Sequence, residues 1–328
     1  MSLRALLALF ILLAQATTNL FASDKQAEGI AIIQRAVDLT DLRQSGPYRM
    51  RANVVMEDET FGRREGIDVH NFISPERWRR DLQVTGYNEI ALLLGGHMYR
   101  SRDTRFTPPG VRGDLVGSLR NLPETLSYKV LRVYDRKFNG INARCVYLQQ
   151  NRKETPSEIK WCFDTSTGLP IATLSSRETW YTEFSNYTAF GNKFVPGKIE
   201  LFEKGKSRQT ALIESTESNV PNQDSIFKIP INAIGRRWCD DMQGVRFKAI
   251  GPVSVPPGAR ARKGLELFYE LTIDEKGRVL VVVPMAEKPF VDRIAIETLR
   301  GWEFEPARCG DTPVLTDIVI DLTRFIRQ

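Results

Sequence analysis

The stretch that decides the C-terminal fold is Gly301-Trp302-Glu303-Phe304-Glu305-Pro306-Ala307-Arg308, followed by Gly310 and by Pro313-Val314. An amphipathic segment, 290–300, precedes it, and an alternating apolar run, 317–325, follows it. Upstream, the alternating run 265–273 leads through the turn Asp274-Glu275-Lys276-Gly277 into a second run, 278–283. This order predicts strand, strand, helix, strand and strand, with Trp302 and Phe304 packed inward on Leu267, Leu271 and Ile294.

These phrases resemble the C-terminal domain of TonB proteins, as do Val255-Pro256-Pro257-Gly258-Ala259-Arg260, Gly264 and Gly277. The resemblance implies a small two-layer α+β domain over residues 245–328. It also implies a binding module of a bacterial envelope rather than an enzyme, with an envelope protein as partner. Such a partner would add a strand to an open sheet edge, for which the last strand, 317–325, is the candidate.

The N-terminus predicts export. Arg4 supplies a positive charge, residues 5–14 are apolar, and Ala14-Gln15-Ala16 offers a small-residue cleavage site, with a second near Ala22. This pattern is typical of a signal peptide, here residues 1–23, and predicts a periplasmic or secreted protein. A retained inner-membrane anchor is the alternative, although the apolar run is shorter than the ~20 residues of a spanning helix.

The four cysteines, Cys145, Cys162, Cys239 and Cys309, allow three disulfide pairings in an exported chain. Strand register favours one of them. Placing Cys145 opposite Cys162 also places Val146 opposite Trp161 and Leu148 opposite Ile159, so that each face is consistent. Cys239 would then pair with Cys309. A metal site is not predicted, because no two cysteines are two residues apart and neither histidine is near one.

Residues 24–232 predict a helix, 24–43, followed by about ten alternating strands with tight turns. This pattern predicts an α+β fold in which a curved antiparallel half-barrel carries covering helices. The resemblance is to the LolA/LolB-like lipoprotein carriers, through the phrases Ser74-Pro75-Glu76-Arg77-Trp78-Arg79, Cys162-Phe163-Asp164-Thr165-Ser166-Thr167-Gly168-Leu169-Pro170, Phe190-Gly191-Asn192-Lys193-Phe194-Val195-Pro196 and Phe227-Lys228-Ile229-Pro230. Residues 233–244 are predicted to be a linker to the C-terminal domain.

Composition and motifs argue against several functional classes. The 328 residues carry a net charge of only +6 in scattered clusters, so a nucleic-acid partner is not predicted. His70 and His97 are the only histidines, and no nucleophile elbow, phosphate loop or zinc motif is present. The sequence therefore predicts no enzymatic activity and no cofactor, and an uncharacterised hydrolase is a distant alternative.

The predicted ligand site is an apolar face of the half-barrel. Period-matched positions place eight candidates there: Met50, Ala52, Val54, Ile67, Val69, Trp78, Leu82 and Val84. In the carrier family the corresponding face receives acyl chains, and the alternative is that these residues are simply core. The prediction is therefore a binding protein for lipid, lipoprotein or an envelope protein, with peripheral membrane contact left open. A TonB-type energy-transducing component of outer-membrane transport is the alternative.

Overall fold

The computed structural model describes residues 25–58, 62–108, 111, 115–117, 128–150, 157–221, 223–239, 242–251, 267–285 and 289–325. The predicted signal peptide, 1–23, and the TonB-like phrase 255–260 lie outside these residues. The chain divides into two compact units. The first runs up to Val69 and from 113 to 220, and the second comprises 70–112 and 221–328.

The first unit consists mainly of an antiparallel sheet whose strands differ in length. Helix α1 spans residues 25–40. The strands are β1 (Tyr48–Asp58), β2 (Gly62–Ser74, which runs on into the second unit), β6 (Tyr128–Phe138), β7 (Ile141–Gln150), β8 (Glu158–Asp164), β9 (Pro170–Ser175), β10 (Trp180–Phe190), β11 (Lys193–Glu203) and β12 (Lys206–Glu217). Their order is β2-β1-β12-β11-β10-β9-β8-β7-β6. A mostly antiparallel sheet with few helices is therefore confirmed.

Helix α1 packs on one face of this sheet. A side chain at Gly29 would lie 2.8 Å from Val130 and 3.1 Å from Val146, so glycine permits the close approach. Val130 N–H donates to Gln26 Oε1 (2.8 Å), which ties the helix to β6. Ile33 and Ala36 form the buried stripe of the helix. The predicted helix 24–43 ends earlier, and a short 3₁₀ turn at Leu42–Gln44 follows.

The register that the cysteines predicted between β7 and β8 is confirmed. Cys145 pairs with Cys162, Val146 with Trp161 and Leu148 with Ile159. The disulfide between Cys145 and Cys162 is formed. Since the two half-cystines are buried with Ala172 and Leu174, the bridge lies within a packed cluster on one face of the sheet.

The second unit contains a hairpin series and the C-terminal elements. The hairpin strands are β3 (Arg77–Val84), β4 (Tyr87–Leu94) and β5 (His97–Arg102). Residues Ile234–Arg237, inside the predicted linker, form a further strand, β13, antiparallel to β5. The prediction that 233–244 is only a connection was therefore wrong at these four positions, where backbone hydrogen bonds to β5 fix the chain.

The C-terminal elements follow the predicted order with additions. They are α2 (Gln223–Ile226), β14 (Arg246–Ala249), β15 (Phe268–Ile273), β16 (Val279–Pro284), α3 (Pro289–Arg300), β17 (Glu303–Glu305), β18 (Ala307–Cys309), β19 (Thr312–Val314), β20 (Thr316–Asp321) and a 3₁₀ turn at Leu322–Phe325. Strands β16, β15 and β20 form a three-stranded antiparallel sheet in that order. Strand β17 pairs with β14 instead.

Trp302 and Phe304 are buried against Leu267 and Leu271, as predicted. Ile294 is only partly buried and is not in this cluster. The helix instead buries Val291, Ala295 and Leu299, which recur every four residues. That part of the prediction was wrong by about one helical position. The second predicted disulfide, Cys239 to Cys309, is formed.

Among the described residues, none of the helices has the length and apolar character needed to cross a bilayer.

Candidate functional site

A continuous row of side chains crosses the α1-covered face of the sheet in the first unit. Each member is the direct cross-strand partner of the next, so all point to the same face. The members of this Trp161 row, from β7 to β1, are Val146, Trp161, Thr173, Thr182, Leu201, Gln209 and Met56. Because Gly29 of α1 contacts Val146, the helix lies over one end of this row.

A second row lies beside the first and is wholly apolar. Its members are Phe184, Ile199, Ala211 and Val54, again linked pair by pair through β10, β11, β12 and β1. All four are buried. The rings of Trp161 and Phe184 stack with centroids 5.9 Å apart, so the two rows are in contact. Together they form a mainly apolar bed several strands wide.

Three of the eight predicted site residues belong to this face. Val54 is in the apolar row, and Met50 and Ala52 have the same parity on β1 and are buried. Strand β12 has one extra residue opposite the step from Arg51 to Ala52, which shifts the pairing register at that point. Met50 and Ala52 nevertheless remain buried. The structure therefore brings these three residues together with Ile199 and Ala211, which sequence reasoning did not single out.

Ile67 and Val69 are placed differently from the prediction. Both are only partly buried, whereas Asp68 and His70, which alternate with them on β2, are buried. Since successive side chains of a strand point to opposite faces, the buried face of β2 is the one that carries the polar residues. The apolar pattern predicted the less buried face of this strand.

The other three predicted residues lie in the second unit. Trp78 is partly buried and packs on Ala91, Leu93 and Met98. Leu82 and Val84 are buried, but their cross-strand partners on β4 are Glu89 and Tyr87. The surroundings of Leu82 and Val84 are therefore partly polar, unlike those of Val54.

A buried polar network occupies this face of the second unit. The Tyr87 hydroxyl donates to Glu89, and burial followed by the charge of Glu89 raises the pKa of Tyr87. Arg102 forms an ion pair with the buried Glu270 on β15, and its Nη1 also donates to the Thr107 hydroxyl (2.9 Å). Burial opposes the charge of Arg102, but the hydrogen bond and charge of Glu270 raise its pKa. The network joins β15 to the β4–β5 hairpin.

Two residues of the Trp161 row each place a buried polar atom without a hydrogen-bond partner among the described residues. The atoms are the indole Nε1 of Trp161 and the hydroxyl of Thr173, two residues that are cross-strand partners on β8 and β9. Buried polar groups are nearly always hydrogen-bonded, and each exception calls for an explanation. The pair adds an N–H donor and a hydroxyl to a mainly apolar bed, in which Thr182 and Gln209 are the other polar side chains. Sequence reasoning used Trp161 only as an apolar partner of Val146 and missed Thr173, whose one signal is a hydroxyl between Ala172 and Leu174.

Comparison with known proteins gives distant structural similarities only. No protein-family model and no curated protein matches the chain. Among solved structures, a domain provisionally named an outer membrane lipoprotein-sorting protein, from Vibrio parahaemolyticus, is 11% identical with a TM-score of 0.44. It covers 62% of this chain and 100% of its own. A LolA superfamily protein from Nitrosomonas europaea is 12% identical with a TM-score of 0.39, over 60% of this chain and 96% of its own.

The MucA/MucB complex of Pseudomonas aeruginosa is 11% identical with a TM-score of 0.28, over 91% of this chain and 96% of its own. With TM-scores below 0.5, these structures identify neither a ligand nor a partner for this chain. The TonB-type resemblance of residues 245–328 stays a prediction.

Proposed function

We propose that this protein is an exported, non-enzymatic binding protein that holds the acyl chain of a lipid or lipoprotein on the α1-covered face of its first unit. The observation that carries the proposal is the combination of a broad, mainly apolar bed with two polar atoms, Trp161 Nε1 and the Thr173 hydroxyl, that have no hydrogen-bond partner among the described residues. Ligand sites characteristically combine an apolar lining with a few polar groups that orient the ligand. The N-terminal apolar segment and the two disulfides support an extracytoplasmic location.

The chemistry of the two rows suits an amphipathic ligand. The apolar row that ends at Val54 would contact methylene groups, each of which contributes about 0.8 kcal/mol when it is removed from water. Trp161 Nε1–H can only donate, so it would meet a carbonyl or carboxylate oxygen of the ligand. The Thr173 hydroxyl can donate to the same oxygen.

Access to this face requires movement of the covering residues. Val54, Met56 and Trp161 are all buried, so a chain reaches them only after α1 or neighbouring side chains shift. We therefore expect an association rate constant below the diffusion limit. The observed association rate should also reach a plateau as the ligand concentration rises.

The test is a titration of the full chain with a fluorescent fatty acid. Trp161→Phe keeps the ring and removes the donor, and Thr173→Val removes the hydroxyl at similar volume. We expect the double variant to bind about tenfold or more weakly, since each lost hydrogen bond to a charged group is worth about 1.5–3 kcal/mol. Trp180→Phe, which changes an exposed tryptophan, is the matched control and should bind as the wild type does.

Unfolding measurements on the same variants separate binding from packing. Removing two unpartnered buried polar atoms should leave the stability unchanged or raise it. If a folded double variant binds as tightly as the wild type, the two atoms do not contact the ligand. If the folded wild type does not bind, the acyl-chain proposal is wrong.

A second candidate function is recruitment of an envelope protein by strand addition, and the exposed apolar edge of β16 favours it. In the three-stranded sheet β16 and β20 are the outer strands, and β16 leaves Leu280 and Val281 50% and 47% exposed. Apolar edge strands readily pair with another chain. A lysine at Val281 should abolish such pairing without touching the core. Crosslinking in intact cells with Val281→Lys beside the wild type tests this candidate.

A further inference from the structure

A turn in the second unit presents isoleucines to solvent. The Ile231 turn, defined as residues 228–234, has Ile231 at its tip, where the side chain is 89% exposed. Ile229 and Ile234 on either side are 49% and 56% exposed. Turn tips normally carry glycine, asparagine, aspartate or serine, because the side chain there is in water. Three exposed isoleucines within six residues therefore have no role in stabilising the fold.

The backbone of the turn is well defined. Ala233 N–H donates to Pro230 O (3.1 Å), and Asn232 has φ +69°, a value that asparagine tolerates at the third position of a β-turn. Ile231 occupies the second position, which projects outward. The sequence thus uses a proline and an asparagine to shape a turn whose most exposed residue is apolar.

Folded structure fixes the chain on both sides of the turn. On the N-terminal side, Phe227 is buried under the guanidinium of Arg77 at 4.8 Å, and Arg79 donates to Ile226 O. On the C-terminal side, β13 pairs with β5, and Trp238 N–H donates to Gly96 O (2.8 Å). Exposure of the isoleucines is therefore a property of the fold, since the turn has no freedom to bury them elsewhere.

Positive charge surrounds the turn. Lys228 and Arg237 are exposed, Arg100 is exposed opposite Ile234 on β5, and no carboxylate occurs between residues 225 and 238. Trp238, at the other end of β13, is also exposed. Aliphatic side chains beside basic residues and a tryptophan match the interfacial region of an anionic bilayer, where apolar groups enter the acyl boundary and cations face phosphates.

We propose that the Ile231 turn docks this protein on an anionic bilayer surface, with Ile229 and Ile231 inserted below the headgroups. This inference goes beyond the proposed ligand site, because the turn lies in the second unit and shares no residue with the Trp161 row. Docking and ligand binding can therefore fail separately. The occupant is a lipid surface rather than a protein, because the exposed charged side chains beside the turn, Lys228, Arg237 and Arg100, are all basic.

The experiment is flotation of the full chain with vesicles that contain phosphatidylglycerol and phosphatidylcholine, beside vesicles of phosphatidylcholine alone. We expect binding to the anionic vesicles that weakens as salt is added. Ile229→Ser/Ile231→Ser should lower the partition coefficient at least about tenfold, given the apolar area that two isoleucines remove from water. Arg237→Gln should lower it about fivefold, the equivalent of one surface charge.

The matched control is Ile141→Ser/Leu212→Ser, which replaces two exposed apolar residues in the first unit, 42% and 48% exposed, without changing charge. It should float as the wild type does. Equal loss in this control, equal flotation of the turn variant, or no flotation of the wild type would each overturn the proposal. If flotation is absent and sedimentation velocity shows self-association that the turn variant abolishes, the turn is an interface between copies.

Discussion

A methyl group added at Gly277 should disrupt the C-terminal sheet. Gly277 sits in the β15–β16 turn at φ +80°, and its carbonyl accepts from Phe304 N–H at 2.9 Å. A Cβ built on this residue would lie 1.7 Å from the Phe304 carbonyl oxygen. No rotamer change relieves this contact, because both groups belong to backbone. In Gly277→Ala, strand β17 must therefore move away from the turn.

The loss of stability expected in Gly277→Ala has three parts. Alanine in the left-handed region costs about 1–2 kcal/mol. The displaced strand loses a backbone hydrogen bond, worth about 1 kcal/mol. It also partly unpacks Phe304 and Trp302, whose complete truncation would each cost about 3–5 kcal/mol. We expect a total loss of at least about 3 kcal/mol.

Gly310→Ala is the matched control. Gly310 also has a positive φ, +56°, but no heavy atom of the described residues would lie within 4 Å of a Cβ there. Gly310→Ala should therefore lower the stability by only about 1–2 kcal/mol, which is the backbone strain of alanine at a positive φ. Hydrogen exchange of the β15 amides, followed by mass spectrometry in increasing denaturant, reports the local free energy of opening. Equal losses in the two variants would refute the argument that close backbone approach requires glycine at Gly277.

Three further predictions concern stability. Replacing Cys145 and Cys162 by alanine should cost about 3 kcal/mol, because the bridge joins residues 17 apart, and denaturant unfolding under non-reducing conditions measures this. Trp302→Ala should lower the opening free energy of the same β15 amides by about 3–5 kcal/mol, and wild-type exchange would mean that the indole is dispensable. Burial, and then the hydrogen bond to Asp292, raise the pKa of Tyr269. The contribution of this tyrosine to the free energy of unfolding is therefore complete below pH ~10 and declines at higher pH. Tyr269→Phe should remove that part of the alkaline loss in a pH series of unfolding curves.

The sequence predicted most strongly where two constraints coincided. The pairing of β7 with β8 followed from one register that satisfied both the cysteines and the Val146–Trp161 pair, and the second disulfide followed by elimination. Trp302 and Phe304 were predictable from their shared parity beside an amphipathic helix. These signals are local, or depend on one partner whose position is already fixed.

The errors arose where tertiary contacts override local pattern. On β2 the buried face carries Asp68 and His70 beside Phe72, and alternation of apolar residues does not reveal polar residues on a buried face. Strand β13 was missed because four residues with one glycine and two arginines carry little strand signal, and its order depends on pairing with β5. For helix α3, the exact buried stripe depends on where the helix begins relative to the sheet.

In the candidate site, too, the local pattern was predictable and the long-range pairing was not. Parity on β1 correctly grouped Met50, Ala52 and Val54, because a strand has a period of two. The neighbouring Ile199 and Ala211 could not be assigned, because the register between distant strands depends on every intervening pair. The unpartnered atoms of Trp161 and Thr173 could not be predicted, since hydrogen-bond satisfaction is a property of the packed structure.

The most direct test of the account is native mass spectrometry of the full chain purified from bacterial envelope, beside its Trp161→Phe/Thr173→Val variant. The account predicts that the wild type carries an additional mass that dissociates as an acyl lipid, and that the variant carries much less of it at equal folded content. A wild-type protein that has only its bare polypeptide mass, and whose folded form also fails to take up added fatty acid, would contradict the account.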